Sequence, residues 1–420
     1  MSFHHHVLPN GLTLIGEVSP SARSVAVGFF VRTGSRDEAE PAVSGVSHFL
    51  EHMVFKGTPR RSALEVNRDF DAIGANYNAF TSEENTVFYG AVLPEYLPQA
   101  VDILADILRP SLRGDDFDME KKVIIEEIGM YDDQPGWCLY DHAKKAFFDT
   151  HPLGNSVLGS VESITNLTRD QMAGYFDRRY VAPNIIVSVA GNFDWPAFVA
   201  LVEKHCGVWS KGDAPRANVF ACQSNPRIQT LKKETVTQEH VLLISPAPGG
   251  DDPLRHASDV LAMILGDSTN SRLYWDLVDP GLAESADVSF HDYQGAGGFF
   301  TSYSCDPEDA EEILARIGAI FAEVQKNSVT AEELATAKSK VLSRVVRGSE
   351  RPMGRMQALG MAWMYLGKYL SVDDELKAFD AVDLAAIREV LDRYPLVKPA
   401  IFALGPIAEV ANSFDSGVPS

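Results

Sequence analysis

Apolar and polar positions alternate with two distinct periods along the first half of the chain. Residues 25–32 are β-branched and alternating, and predict a strand. Residues 7–15 predict an earlier strand with Asn10-Gly11 as a turn or bulge inside it. Residues 44–55 then take the helical period and stop at Gly57-Thr58-Pro59. A second helix over 63–73 ends at Gly74. Strands at 77–80 and 86–92 flank the polar turn Ser82-Glu83-Glu84-Asn85. Amphipathic helices follow at 97–108, before Pro110, and at 116–131, which meets the breaker cluster Asp132-Asp133-Gln134-Pro135-Gly136. A strand at 184–190 closes the half.

A polar stretch at 210–225 interrupts this order, and then the order restarts. The strand at 241–245 takes the place of 25–31, the helix at 254–265 that of 44–55, and the strand at 297–304 that of 86–92. Helices at 309–325 and 330–348 match the pair at 97–108 and 116–131. The pattern predicts an α+β fold of two duplicated domains, each an antiparallel-rich sheet packed with helices. The expected boundaries are 1–210, a linker at 211–225, and 226–420.

With 420 residues and 45% hydrophobic content, the chain has ample material for two cores. A formal net charge of −21 disfavours nucleic acid and anionic membrane surfaces as partners. Cys138, Cys206, Cys222 and Cys305 have neither metal-site nor disulfide-framework spacing, and read as free thiols in a reducing compartment. The opening MSFHHHVLPNGLTLIGE has neither a secretory nor a transit pattern, and no long apolar run occurs, so the expected location is cytoplasmic without membrane attachment. His4, His5 and His6 are assigned no function.

Candidate chemistry concentrates at His48-Phe49-Leu50-Glu51-His52. Spacing of i and i+4 puts both imidazoles on one helix face, as two ligands of one tetrahedral ion require. Glu51 lies beside that face, where it can reach a water without binding the metal, so HxxEH is the zincin pattern reversed. The best third ligand is Glu127. Together with Glu120, Ile124, Ile128 and Tyr131 it occupies one face of the 116–131 helix, and carboxylates on an otherwise apolar face need a reason to be there, such as a cation. Glu126 points away. His142, His151, His205, His240, His256 and His291 are isolated and read as structural. No GxxxxGK(S/T), strand-linked GxGxxG or GxSxG is present.

These residues resemble the pitrilysin/insulinase/mitochondrial-processing-peptidase family, in its short two-domain branch. The likeness rests on Leu8-Pro9-Asn10-Gly11-Leu12, on 45–58 around HxxEH, on Asn78-Ala79-Phe80-Thr81, and on Val123-Ile124-Ile125-Glu126-Glu127-Ile128. His151-Pro152-Leu153-Gly154 and Tyr180-Val181-Ala182-Pro183-Asn184 also match. The resemblance implies a zinc endopeptidase with one Zn²⁺ per chain, bound by His48, His52 and Glu127 with Glu51 as general base. The family's distance from second histidine to third ligand selects Glu127 over Glu126. Its supporting glutamate, two turns earlier, corresponds to Glu120. Its substrate-pairing edge strand corresponds to Asn78, Ala79, Phe80 and Thr81.

The second half departs from the family pattern. Members that act alone carry Arg-x-x-x-Gly-Leu-x-Tyr, whose Arg and Tyr hold the substrate. Here Leu277 or Val278 stands for the Arg and Glu284 for the Tyr, around Gly281-Leu282-Ala283. An aliphatic chain and a carboxylate cannot stabilise a developing oxyanion. The resemblance therefore implies the zinc-bearing subunit of a heterodimer whose homologous partner supplies the pair. The alternatives are a non-catalytic core or assembly subunit, and an autonomous, homodimeric peptidase using Arg272 or Tyr274.

Overall fold

The computed structural model describes residues 2–38, 41–216 and 227–410. Within these lie two sheets of matching design. The first contains β1 (Ser2–Val7), β2 (Thr13–Val18), β3 (Val25–Val31), β4 (Asn76–Thr81), β5 (Thr86–Val92) and β6 (Ile185–Gly191), in spatial order β1-β2-β6-β3-β5-β4. The second contains β7 (Ile228–Lys232), β8 (Glu239–Ala247), β9 (Ser285–Tyr293), β10 (Ala296–Cys305) and β11 (Ala400–Gly405), in order β7-β11-β8-β10-β9. Leaving β1 aside, the two orders are the same when strands are taken in sequence. Each sheet has one parallel pair, β2–β6 and β7–β11, with antiparallel pairing elsewhere. The predicted duplication therefore extends to topology, and β9 is the counterpart of β4 that the residue pattern concealed.

The strand expected over 7–15 is two strands. Gly11 takes φ +93, and the segment folds back through Leu8 N–H to Leu12 O (2.9 Å) and Gly11 N–H to Leu8 O (2.8 Å). Asn10 fixes this turn by donating from Nδ2 to Cys206 O at 2.9 Å. The Asn-Gly pair is thus the turn of a β1–β2 hairpin, the conformation glycine tolerates best.

The described residues form two compact units, one within Met1–Gly129, Asn155–Ala217 and Val346–Leu370, the other within Met130–Gly154, Asn218–Val345 and Ser371–Ser420. This corrects the contiguous boundaries 1–210 and 226–420: each half of the chain lends a helix to the other's sheet. Residues 217–225 of the expected linker, and Cys222 within them, lie outside the described residues. Cys138, Cys206 and Cys305 are free.

In the first unit, helices cover one sheet face around a core that includes Phe29, Phe49, Leu50, Phe70, Phe88 and Ile124. The opposite face, with Ile15, Ala26, Phe30, Val87 and Ile186, is covered by the lent helix Pro352–Leu366 through Met356 and Leu359. Gly360 lets that helix lie against Phe30: a Cβ there would come within 2.2 Å of the ring. Arg355 pairs with Glu17 at 2.6 Å with both side chains buried, Tyr369 OH donates to Glu17 at 3.0 Å, and Ser188 Oγ donates to Met356 O at 2.8 Å.

The second unit is built alike. One face packs Leu261, Phe299, Ile317 and Val390. The other receives Leu139, Ala143 and Phe147 of the lent helix Pro135–Phe148 against Leu242, Ile244, Phe300 and Phe402. Among the described residues, no helix is long and apolar enough to cross a membrane.

The ion pair that fastens Pro352–Leu366 gives a direct test. Arg355→Met keeps the aliphatic stem but leaves the Glu17 carboxylate buried without its cation. Such a loss typically costs about 3–5 kcal/mol. Urea unfolding should show a destabilisation of that order; a loss below about 1 kcal/mol would mean that the pair does not hold the lent helix.

Candidate metal centre

The helix Val46–Val54 carries the HxxEH motif with His48 buried and Glu51 and His52 half-buried. Its start is capped in an unusual way. Gly45 takes φ +87, where a Cβ would meet Leu158 O at 2.5 Å. The two oxygens of Glu38 then accept from Gly45 N–H (2.7 Å) and Ser47 N–H (2.9 Å). A carboxyl group on the first N–H groups satisfies donors that the helix itself leaves without partners. Burial pushes the Glu38 carboxyl up to about 8, although the N–H donors and the Ser47 hydroxyl favour its charged form.

The helix Gly114–Asp132 brings the third donor. Ile124 and Ile128 anchor its inner face, and Glu120 and Glu127 come from the same side, as the spacing predicts, while Glu126 is exposed. Glu127 Oε2 lies 3.7 Å from His48 Nε2 and 3.6 Å from His52 Nε2. Ligand atoms of the three residues all lie within 4.8 Å of one another. These gaps are too long for hydrogen bonds, and Glu127 Oε2 is buried without a hydrogen-bond partner. A tetrahedral ion with bonds of about 2.0–2.1 Å separates its donors by about 3.3 Å. Two imidazole nitrogens and a carboxylate oxygen at these separations therefore fit a zinc ion, and this is the one such group among the described residues.

The surroundings prepare each donor. Glu120 Oε1 pairs with His52 Nδ1 at 2.9 Å, which turns Nε2 toward the centre. Lys56 Nζ pairs with the other Glu120 oxygen at 2.6 Å. Burial alone would raise Glu120, but the bonds from His52 and Lys56 outweigh it and hold it below its ordinary value. Burial, reinforced by His52, lowers His48 to about 3, so its ring stays neutral and able to bind a metal. Burial would also lower His52, yet the Glu120 bond and the charges of Glu127, Glu120 and Glu51 raise it. Glu127 is raised by burial, with His52 opposing.

Glu51 stands beside the three donors and outside their set. Its carboxyl is raised by burial, partly offset by a hydrogen bond that Thr81 Oγ1 donates to Oε2 at 2.6 Å. Thr81 ends β4, an edge strand of its sheet. Along β4, Asn78 and Phe80 are exposed, whereas Tyr77, Ala79 and Thr81 turn toward the helices, with Tyr77 stacked on Phe70 at 3.9 Å. Sequence reasoning missed Glu38, Lys56 and the Thr81–Glu51 bond. Lys56 had a signal, standing one helical turn beyond His52; Glu38 had none.

In the second unit, Leu277 is buried in the core within a π-helical turn, Tyr274–Val278, and Val278 packs against that core. Glu284 is exposed, and its carboxylate accepts from the Gln238 side chain. Arg272 pairs with Glu333 at 2.7 Å and also with Glu323.

Residues 14–161 match the family model described as insulinase (peptidase family M16), and residues 166–341 match the peptidase M16 inactive domain. A protein of Mycobacterium bovis described as an uncharacterized zinc protease is 34% identical over 405 residues, which is 95% of this chain and 92% of the relative. The zinc protease YmxG of Bacillus subtilis, also described as uncharacterized, is 33% identical over 382 residues, 90% of this chain and 92% of its own. A peptidase M16 inactive domain from Pseudomonas fluorescens aligns with a TM-score of 0.90 at 19% identity, covering 98% of this chain and 99% of that one, and so shares the fold.

Two outcomes follow from this geometry. His48→Ala, His52→Ala and Glu127→Gln should each lower zinc content well below one per chain by elemental analysis, and normal content in any variant would remove that residue from the ligand set. Glu38 gives a pH dependence. Its carboxyl is higher in the fold, at about 8, than its ordinary 4.5. Unfolding therefore releases a proton between those values, and stability drains away as pH rises from about 4.5 to about 8, at no more than about 1.4 kcal/mol per pH unit. In metal-loaded samples, Glu38→Gln should flatten the fall in denaturant stability between pH 5 and 7.5, and an unchanged slope would contradict the assignment.

Proposed function

The chain belongs to the insulinase family of metallopeptidases (peptidase family M16), and on that premise we propose that it is a zinc endopeptidase acting on peptides or unfolded polypeptides. His48, His52 and Glu127 are the proposed ligands, Glu120 the support that orients His52, and Glu51 the general base. The observation that carries this reading is the buried Oε2 of Glu127, which has no hydrogen-bond partner and faces both Nε2 atoms.

When bound, a zinc ion would supply Lewis-acid polarisation of the scissile carbonyl and acidify a water. The chain's own groups do the rest. Glu51 Oε2 is occupied by the Thr81 hydroxyl, which leaves Oε1 to accept the proton of the attacking water and return it to the leaving amine. The outer edge of β4, along Asn78–Thr81, offers backbone N–H and C=O groups to an extended peptide. Pairing of that kind tolerates many side-chain sequences.

The proposal includes a homologous partner that supplies the missing Arg and Tyr. Its support is the burial of Leu277, the exposure of Glu284, and the absence of a guanidinium or phenol at either place. An autonomous peptidase relying on Arg272 is disfavoured, because Glu333 and Glu323 already engage that guanidinium. A purely structural subunit is disfavoured by the complete donor set and its oriented second carboxylate.

The test is peptidase activity of the purified, zinc-loaded chain on a mixture of unstructured peptides, alone and with a homologous partner. Cleavage only with the partner, abolished by Glu51→Gln while zinc stays bound, is expected. Cleavage by the chain alone would end the obligate-partner reading, and undiminished cleavage by Glu51→Gln would end the assignment of the base.

A further inference from the structure

We infer that Thr81 is a positioning residue for Glu51, coupling the general base to the strand on which the peptide would lie; this rests on the reading of Glu51 given above. A threonine on an edge strand that pairs with peptide through its backbone has no need of a hydroxyl. Here the period-two alternation of β4 turns that side chain inward, and its Oγ1 meets Glu51 Oε2 at 2.6 Å.

A hydroxyl carries one proton, so the orientation can be followed atom by atom. Thr86 is the cross-strand partner of Thr81, with the two Oγ1 atoms 3.5 Å apart. The Thr86 hydroxyl donates to Thr33 O at 2.9 Å and so has no proton left for Thr81. Glu51 is ordinarily a carboxylate and can only accept. The Thr81 proton therefore goes to Glu51, and Thr86 is a wall behind it.

The backbone that carries Thr81 is held firmly. The next four residues close a turn in which Ser82 N–H donates to Asn85 O at 2.8 Å and Arg36 N–H to Glu83 O at 2.8 Å. Glu84, buried in that turn, pairs with Arg36 and accepts from Tyr365 OH at 2.7 Å. The motif helix is set independently, by Glu38 at its start. Without the Thr81 bond, the Glu51 side chain would retain several rotamers beside the metal centre. With it, Oε2 is fixed from the strand side and Oε1 is the oxygen presented to the reacting water. A peptide added along β4 would thus be registered by the same strand that aims the base.

The test uses the full chain, with its partner subunit where cleavage requires one, and compares Thr81→Val, Thr81→Ser and Glu51→Gln. Valine keeps the shape and strand preference of threonine but places a methyl group against Oε2. Its kcat should fall about 10-fold or more, part of the 10²–10⁴ that a positioned base supplies, with KM within about 2-fold. Zinc content and thermal midpoint should stay at wild-type values. Thr81→Ser keeps the hydroxyl and should recover most of the rate. A Thr81→Val enzyme with normal kcat, beside an inactive Glu51→Gln, would overturn the inference alone. So would a rise in KM at constant kcat, or a serine variant as slow as the valine one. Normal turnover by Glu51→Gln would instead overturn the underlying assignment of the base.

Discussion

Two imidazole nitrogens and a carboxylate oxygen converge where no hydrogen bond joins them, and much of the first unit's design is needed to hold them there. Each of these groups loses solvation in that position, and Glu127 Oε2 recovers none of the loss from another protein donor. A cation among these donors would make the arrangement favourable. The motif helix must present His48 and His52 from one face, and the longer helix must present Glu120 and Glu127 from one face at matching height. Stacking of Phe49 on Phe117 at 4.9 Å packs the two helices together close to the donors. Glu38 at one end and the Glu120–Lys56 pair at the other then set the motif helix in rotation and in height.

The duplicated fold explains how a sheet can support such a site with both faces covered. Each sheet uses its own helices on one face and a lent helix on the other. In the first unit the lent helix is fastened by Arg355 and Glu17, across the sheet from the motif helix. The helical side is thereby left to carry donors. In the second unit the same topology carries no counterpart of the three donors among the described residues. Around Gly281-Leu282-Ala283 that unit buries Leu277 and exposes Glu284. Its arginine nearby, Arg272, is engaged by carboxylates of its own unit.

What the residues revealed in advance was what local geometry dictates. His48, Glu51 and His52 lie within two turns of one helix, so their spacing alone placed them together. Glu127 was readable because a carboxylate interrupts an apolar helical stripe. The repeated order of strands and helices was readable because each element is long and periodic. Long-range choices were not. Nothing in the apolar periodicity of Pro135–Phe148 or Pro352–Leu366 says which of two similar sheets it will cover, so contiguous domains were expected and exchanged helices found. Glu38 stands only seven residues before Gly45 and nine before Ser47, yet no periodic pattern joins it to the helix it caps. Thr81 was assigned with its strand to peptide binding, and only the fold shows its hydroxyl on Glu51.

The account stands or falls on one metal ion held by nitrogen and oxygen from His48, His52 and Glu127. X-ray absorption at the zinc edge of the purified chain, with the metal quantified, addresses this most directly. It should show one zinc per chain in a nitrogen and oxygen shell at about 2.0–2.1 Å, with imidazole scattering from two histidines and no sulfur. A sulfur shell at about 2.3 Å, or a chain that retains no zinc after gentle desalting, would contradict it.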